Sequence, residues 1–220
     1  MGLVRVQIVE NFAASCDIIK LMPYSQFTTI TKAVEAFNLN TFEGRFLPEI
    51  PPIIPSTLLS GYLEDTLPLV ATASEKARSE GIIFPVLTEV RRILNKQVSL
   101  FSGEDFSIDE SAGLNGIVDF LLSRSPKVLE INAPVIVIVE AKKADIRTGL
   151  GQCIAEMVAA IRFNQAKQLP IQTIYGCVTS GTQWRFLQLE QTNMTIDLTD
   201  YPLPPVDQIL GFLVWMVQQG

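Results

Sequence analysis

Residues 135–139 are five consecutive β-branched side chains, Val-Ile-Val-Ile-Val, and the run ends abruptly in Glu140-Ala141-Lys142. β-Branched residues favour strands, and a strand with no polar alternation is covered on both faces. The segment therefore demands a sheet with a layer packed on each side. Successive strand residues point to opposite faces, so Glu140 and Lys142 share one face, about 6–7 Å apart along the strand. A carboxylate at the end of a buried strand costs several kcal/mol unless a cation or hydrogen bonds satisfy it.

A second apolar run is interrupted in the same way. Asp119 stands among Ile117, Val118, Phe120, Leu121 and Leu122. The intervening loop, with Pro126 and Pro134, is long enough to fold the two strands into an antiparallel pair with both carboxylates on one face. Two carboxylates, the Ala141 carbonyl and water suit Mg²⁺ or Mn²⁺. Lys142 beside such an ion could orient or help deprotonate an attacking water and stabilise charge on a phosphate. The residues alone also allow a satisfied buried Asp119 and an ordinary same-face ion pair between Glu140 and Lys142.

The chain of 220 residues contains no histidine. That excludes Ser-His-Asp and Cys-His hydrolases, histidine zinc sites and nucleases with a histidine base. There is no GxxxxGK[ST] phosphate loop, and Gly149-Leu-Gly151 lacks the third glycine of a dinucleotide loop, which leaves a helix-entry turn. Cys16, Cys153 and Cys177 are scattered and never spaced as CxxC, the pattern of reduced cytoplasmic thiols without zinc. Apolar residues make up 48% and charged residues 18%, which argues for a folded chain. The longest apolar runs, 135–139 and 209–217, fall far short of the ~18–20 residues of a membrane span. The N-terminus lacks the pattern of a secretory signal, so a cytoplasmic location is expected.

Along the chain, residues 3–9 alternate as a short strand, and Ser25 is placed to cap a helix with Phe27, Ile30, Val34 and Phe37 on its apolar face. Four prolines in 47–56 rule out helix and central strand and suggest a rigid connector, followed by a helix over 57–67. Residues 1–70 are thus expected as an N-terminal extension, and 71–220 as the main domain. Ser74 caps a helix expected over 75–94, kinked at Pro85. Strands are expected at 97–101, 106–108, 116–122 and 135–142, then a helix over 148–164. Strands at 171–178 and 184–189 follow, joined by a Ser180-Gly181 turn. The last helix, 206–218, is apolar nearly all round, as in a buried helix or a homodimer interface. Trp184 and Phe186 suit core packing better than base stacking, and Tyr175 also reads as core. The order implies an α/β or α+β layered fold.

The string GLNGIVDFLL, then VIVIVEAKK, then a helix with Gln152, then IYGCVTSGTQWRFLQL resembles the nuclease core of the PD-(D/E)XK superfamily. It is similar in particular to restriction-endonuclease-like proteins and to the nuclease domains of type I restriction subunits, over roughly residues 74–190. The resemblance implies a restriction-endonuclease-like core, a central mixed sheet flanked by helices in the order αβββαβ. It implies Mg²⁺-dependent hydrolysis of nucleic-acid phosphodiester bonds, in restriction, repair or mobile-element processing. Asp119 takes the place of the family's first acid, Glu140-Ala141-Lys142 that of its (D/E)XK, and Gln152 that of the glutamine on the next helix. The family's glutamate on the first core helix falls on Glu75, with Glu80 and Glu89 as alternatives. The first 70 residues lie outside the resemblance.

Net charge is −6, unlike a chain that holds DNA by charge alone. Between Lys142 and Arg185, however, six basic residues stand against Asp145 and Glu156. The partner expected is nucleic acid, DNA foremost. The alternative is a catalytically silent nuclease-fold module that binds a protein or nucleic acid.

Overall fold

A computed structural model describes residues 23–169 and 171–219; the strand expected at 3–9 and Cys16 lie outside the described residues. The centre is a mixed eight-stranded sheet of β1 (Asn40–Glu43), β2 (Ser99–Asp105), β3 (Ile117–Ser123), β4 (Val135–Ala141), β5 (Thr173–Thr179), β6 (Gln183–Glu190), β7 (Asn193–Ile196) and β8 (Tyr201–Pro202). Its order is β1-β7-β6-β5-β4-β3-β2, with β8 on β6. β4 runs parallel to β5 and β1 parallel to β7, while the other pairings are antiparallel.

β4 lies between β3 and β5, and all seven of its residues are buried, as a run without polar alternation requires. One face packs on α2 (Thr57–Val70), α4 (Phe84–Ile93) and α6 (Asp207–Gln219), the other on α1 (Ile30–Phe37) and α5 (Leu150–Ala166). Val137, Val139 and Ala141 face the first layer and Ile138 the second. The alternation carries Glu140 towards α5. Asn164 of α5 fixes the other end of β4: its amide bonds both the N–H and the C=O of Val135, each at 2.8 Å.

Several local expectations change. Ser25 sits in a 3-10 turn, Tyr24–Gln26, and α1 is capped by Thr29, whose hydroxyl accepts the Lys32 N–H. Ser56 caps α2, and Ser74 caps α3 (Glu75–Arg78). The helix expected to kink at Pro85 instead contains a π-helical turn, Ser79–Ile83, between α3 and α4. Pro85 follows the π-turn without a break in the helix, and the Gly81 carbonyl four residues before it accepts the Thr66 hydroxyl at 3.0 Å in place of the missing Pro85 N–H. Residues 106–108 form no strand; the bonds of this stretch go to Gly116 and Leu114 in a loop. Strands β1, β7 and β8 add to the expected set.

The proline stretch is extended and lies against the start of α6: Ile53 N–H donates to Asp207 O at 3.0 Å, and Gln208 Nε2 to Ile50 O at 3.1 Å. Helix α6 is buried from Ile209 to Val214 and at Met216 and Val217, so its apolar surface is covered within the chain. Residues 23–70 place α1, β1 and α2 in the same layers as the rest. No described helix is long and apolar enough to cross a membrane.

Candidate functional site

Antiparallel pairing of Phe120 with Val139 brings Asp119 and Glu140 side by side just past the paired residues, near the start of β3 and the end of β4. Asp119 Oδ2 accepts the Ala141 N–H at 2.8 Å, which turns its carboxylate across to β4. Lys142 leaves β4 with its N–H on Thr179 O at 2.8 Å, and its ammonium donates to Glu140 Oε1. The sheet thus joins Asp119, Glu140 and Lys142.

Glu140 is fully buried, and its second oxygen, Oε2, has no hydrogen-bond partner. Burial, reinforced by the Asp119 charge, pushes its carboxyl up to about 8 despite the opposing ammonium of Lys142. Burial works against the Lys142 ammonium, but Glu140, Asp119 and Glu75 together hold its pKa above the usual lysine value. Lys142 is therefore a cation at neutral pH rather than a base.

Glu75 opens α3 and shares one wall of a cleft of about 280 Å³ with Ser79, Ser102, Asp119 and Phe120. Its influence on Lys142 and its place beside Asp119 tie it to the strand ends. The two alternative glutamates fare differently. Glu80 lines the same cleft but is exposed and pairs with Lys76 at 3.8 Å. Glu89 lies under the start of α2, bound to Ser56 and Arg92.

Gln152 stands in the first turn of α5, and its Nε2 donates to Glu156 Oε1 at 3.0 Å one turn on. Sequence reasoning passed over Glu156. It is fully buried, its Oε2 has no partner, and burial followed by the Glu140 charge raises its carboxyl well above the ordinary range. Asp119 and Lys142 also act on it. The signal was present: Glu156 is the sole charged residue between Leu150 and Ile161, an acid interrupting an apolar run, as at Asp119 and Glu140.

The glycine pair before α5 serves close packing. A Cβ on Gly149 would lie 2.8 Å from Val178 Cγ1 and 3.0 Å from Lys142 Cε, so the lysine stem rests directly on this backbone. A Cβ on Gly151 would collide with the Phe27 and Thr29 carbonyls. Trp184 and Phe186 are fully buried, with Trp184 Nε1 on Gly181 O at 2.9 Å. Cys153 and Cys177 are buried free thiols.

The basic stretch is largely spent within the protein. Lys142, Arg147, Arg162 and Arg185 pair with Glu140, Asp145, Asp109 and Asp200. A larger cleft of about 430 Å³ lies between α2 and α4, lined by Leu58, Tyr62, Phe84 and Pro85 among others, and includes neither Asp119 nor Glu140.

Asp119 and Glu140 fit a hard divalent cation. Mg²⁺ is commonly held by one or two carboxylates, with water completing its shell, and the unpartnered Glu140 Oε2 supplies a buried oxygen without a bond. Among the described residues no group of three acidic or thiol side chains forms a ready-made metal cage. The chain matches no family model and no curated protein.

Proposed function

We propose that this protein is a Mg²⁺- or Mn²⁺-dependent nuclease of the PD-(D/E)XK type, with a restriction-endonuclease-like core, that hydrolyses phosphodiester bonds in nucleic acid, DNA foremost. One observation carries the reading: Asp119 from β3 and Glu140 and Lys142 from β4 converge beside the Glu75 cleft, with Glu140 Oε2 buried and unpartnered.

Asp119, Glu140 and the Ala141 carbonyl would hold the cation, which supplies Lewis acidity and offsets negative charge on the phosphate. To act as a ligand Glu140 would have to give up the proton that burial otherwise favours on its carboxyl. Lys142, a cation on a stem braced by Gly149, donates hydrogen bonds to the attacking water or to a phosphate oxygen. Glu75 lines the cleft with Asp119 and helps keep Lys142 protonated. Gln152 adds a neutral amide at the α5 side.

Incubation of plasmid, single-stranded DNA and RNA with protein and Mn²⁺ or Mg²⁺ tests this. Metal-dependent cleavage, abolished by Asp119→Ala and by Lys142→Ala, is the expected result. No cleavage of any of these, together with no metal-induced rise in melting temperature, overturns it.

A second reading, a catalytically silent module of the same fold, draws support from the net charge of −6 and from the pairing of four of the six basic residues between Lys142 and Arg185. It predicts retained metal or partner binding without cleavage.

A further inference from the structure

One arginine beside the strand ends is held in place without an acid to neutralise it. Arg78 stands three residues after Glu75 on the short helix α3, and residues three apart share a helix face. Glu75 lies on the Asp119 side, in the cleft that Ser102 and Asp119 also line. Arg78 reaches the other side: its Nη1 donates to Ser180 O at 3.3 Å, one residue past the end of β5. β4 runs between β3 and β5, and the Lys142 N–H bonds Thr179 O, the carbonyl just before Ser180. The face of α3 that carries Glu75 and Arg78 therefore spans the strand ends, with the end of β4, Glu140 and Lys142, between its two contacts.

The side chain is braced at both ends. A Cβ on Gly181 would lie 3.5 Å from Arg78 Cβ, so the root of the arginine rests against the Ser180-Gly181 turn, and Nη1 is tied to the same turn. Nε is enclosed and has no hydrogen-bond partner. Nη2 bonds no described protein group and is not enclosed, so its hydrogens are open to a ligand. Among the described residues no carboxylate comes within ion-pair distance of this guanidinium, whereas Arg147, Arg162 and Arg185 are each closed by an aspartate. A guanidinium that is positioned by a carbonyl and lacks a counter-charge is suited to an oxyanion, and phosphate oxygens match its donors in geometry and charge.

We propose that Arg78 binds a phosphate of a nucleic-acid strand, the one adjoining the phosphate at the Asp119–Glu140 cation site, and so supplies charge that the paired arginines do not. The inference rests on the nuclease reading for the identity of the anion. Arg78 is a substrate-binding residue here and takes no part in holding the cation.

The test is fluorescence anisotropy of a short labelled DNA, single-stranded and duplex, with the full chain in EDTA and in Ca²⁺, from about 50 to about 200 mM salt. Arg78→Met keeps the apolar stem and removes the charge. It should weaken binding about tenfold, whatever the base sequence, and lower the slope of log K against log salt by about one. Arg78→Lys should recover the slope. Arg162→Met removes the same charge from a residue already paired with Asp109, and should leave the slope as in the wild type. If the bond to Ser180 O only braces the turn, Arg78→Met lowers the melting temperature and leaves the slope unchanged, and that result overturns the proposal. An equal fall in slope in Arg162→Met, or wild-type protein that binds neither DNA in either buffer, also overturns it. Should Arg78→Met fail to fold, Arg78→Gln, which keeps a donor for Ser180 O, is read in the same way. Cleavage in Mn²⁺ is scored separately: binding that depends on Arg78 without cleavage sinks the hydrolytic reading alone, and cleavage with an Arg78-independent slope sinks this proposal alone.

Discussion

Glu89 on α4 and Glu140 on β4 are both withdrawn from solvent, at 4% and 0% exposure, yet their surroundings differ in kind. Glu89 accepts four hydrogen bonds: Oε1 from Ser56 N at 2.8 Å and Arg92 Nη2 at 2.7 Å, Oε2 from Ser56 Oγ at 3.1 Å and Arg92 Nε at 2.7 Å. The Arg92 bonds, helped by Ser56, hold its carboxyl down to about 2. Glu140 has Lys142 on one oxygen, nothing on the other and Asp119 alongside, and its carboxyl rises to about 8. An acid with every oxygen bonded is part of the frame, here locking the start of α2 to α4. An acid left short, beside a second acid, is the place where the proposed cation would neutralise both.

The sharpest way to break this contrast is to neutralise each acid in turn. Glu140→Gln should lower metal-dependent cleavage by on the order of 10²–10³-fold, whereas Glu89→Gln should leave kcat within about twofold in protein that remains folded. Equal losses in the two variants, measured well below the melting temperature, would dissolve the distinction. Stability should divide the opposite way. Glu89→Ala removes the acceptor from two Ser56 donors and from Arg92, and should cost about 2–3 kcal/mol in urea unfolding. Metal-free Glu140→Gln should cost nothing or stabilise.

The smallest effect is the pH dependence, and its signs differ. Glu140 has a folded value near 8 against 4.5 for an unperturbed glutamate. Its raised value contributes stability that is full below about 4.5 and is lost as pH rises through 8. Glu89 has a folded value near 2, so its contribution is present above about 4.5 and is lost as pH falls through 2. Melting curves of the metal-free protein should therefore fall on both sides. Glu140→Gln should flatten only the alkaline limb, and Glu89→Gln only the acid limb. A Glu140→Gln variant with the wild-type alkaline limb would remove the support for a strained acid at that position.

What was legible in the sequence follows from the range of the signal. The two central strands and their acids are written locally, as apolar runs broken by one charge, so Asp119, Glu140 and Lys142 are visible without a fold. β1 escaped because all four of its residues are exposed and its partner, β7, lies 153 residues away at Asn40–Asn193. That Glu89 would lie away from the cleft lined by Glu75 and Glu80 was beyond helical periodicity, because the π-helical turn at 79–83 shifts the phase of every later residue. Glu156 obeyed the same rule as the strand acids and was missed because the rule was not carried onto α5. The basic stretch misled in the other direction: composition cannot show that Arg147, Arg162 and Arg185 are each matched by an acid.

Titration calorimetry with Mn²⁺ at pH 7 tests the central claim most directly. The account predicts ion binding by the wild type with release of a proton, since Glu140 must ionise to become a ligand. It predicts loss of that binding in both Asp119→Asn and Glu140→Gln, with wild-type binding kept in Glu89→Gln. Binding that persists unchanged in Asp119→Asn and Glu140→Gln, or no binding by the wild type, would contradict it.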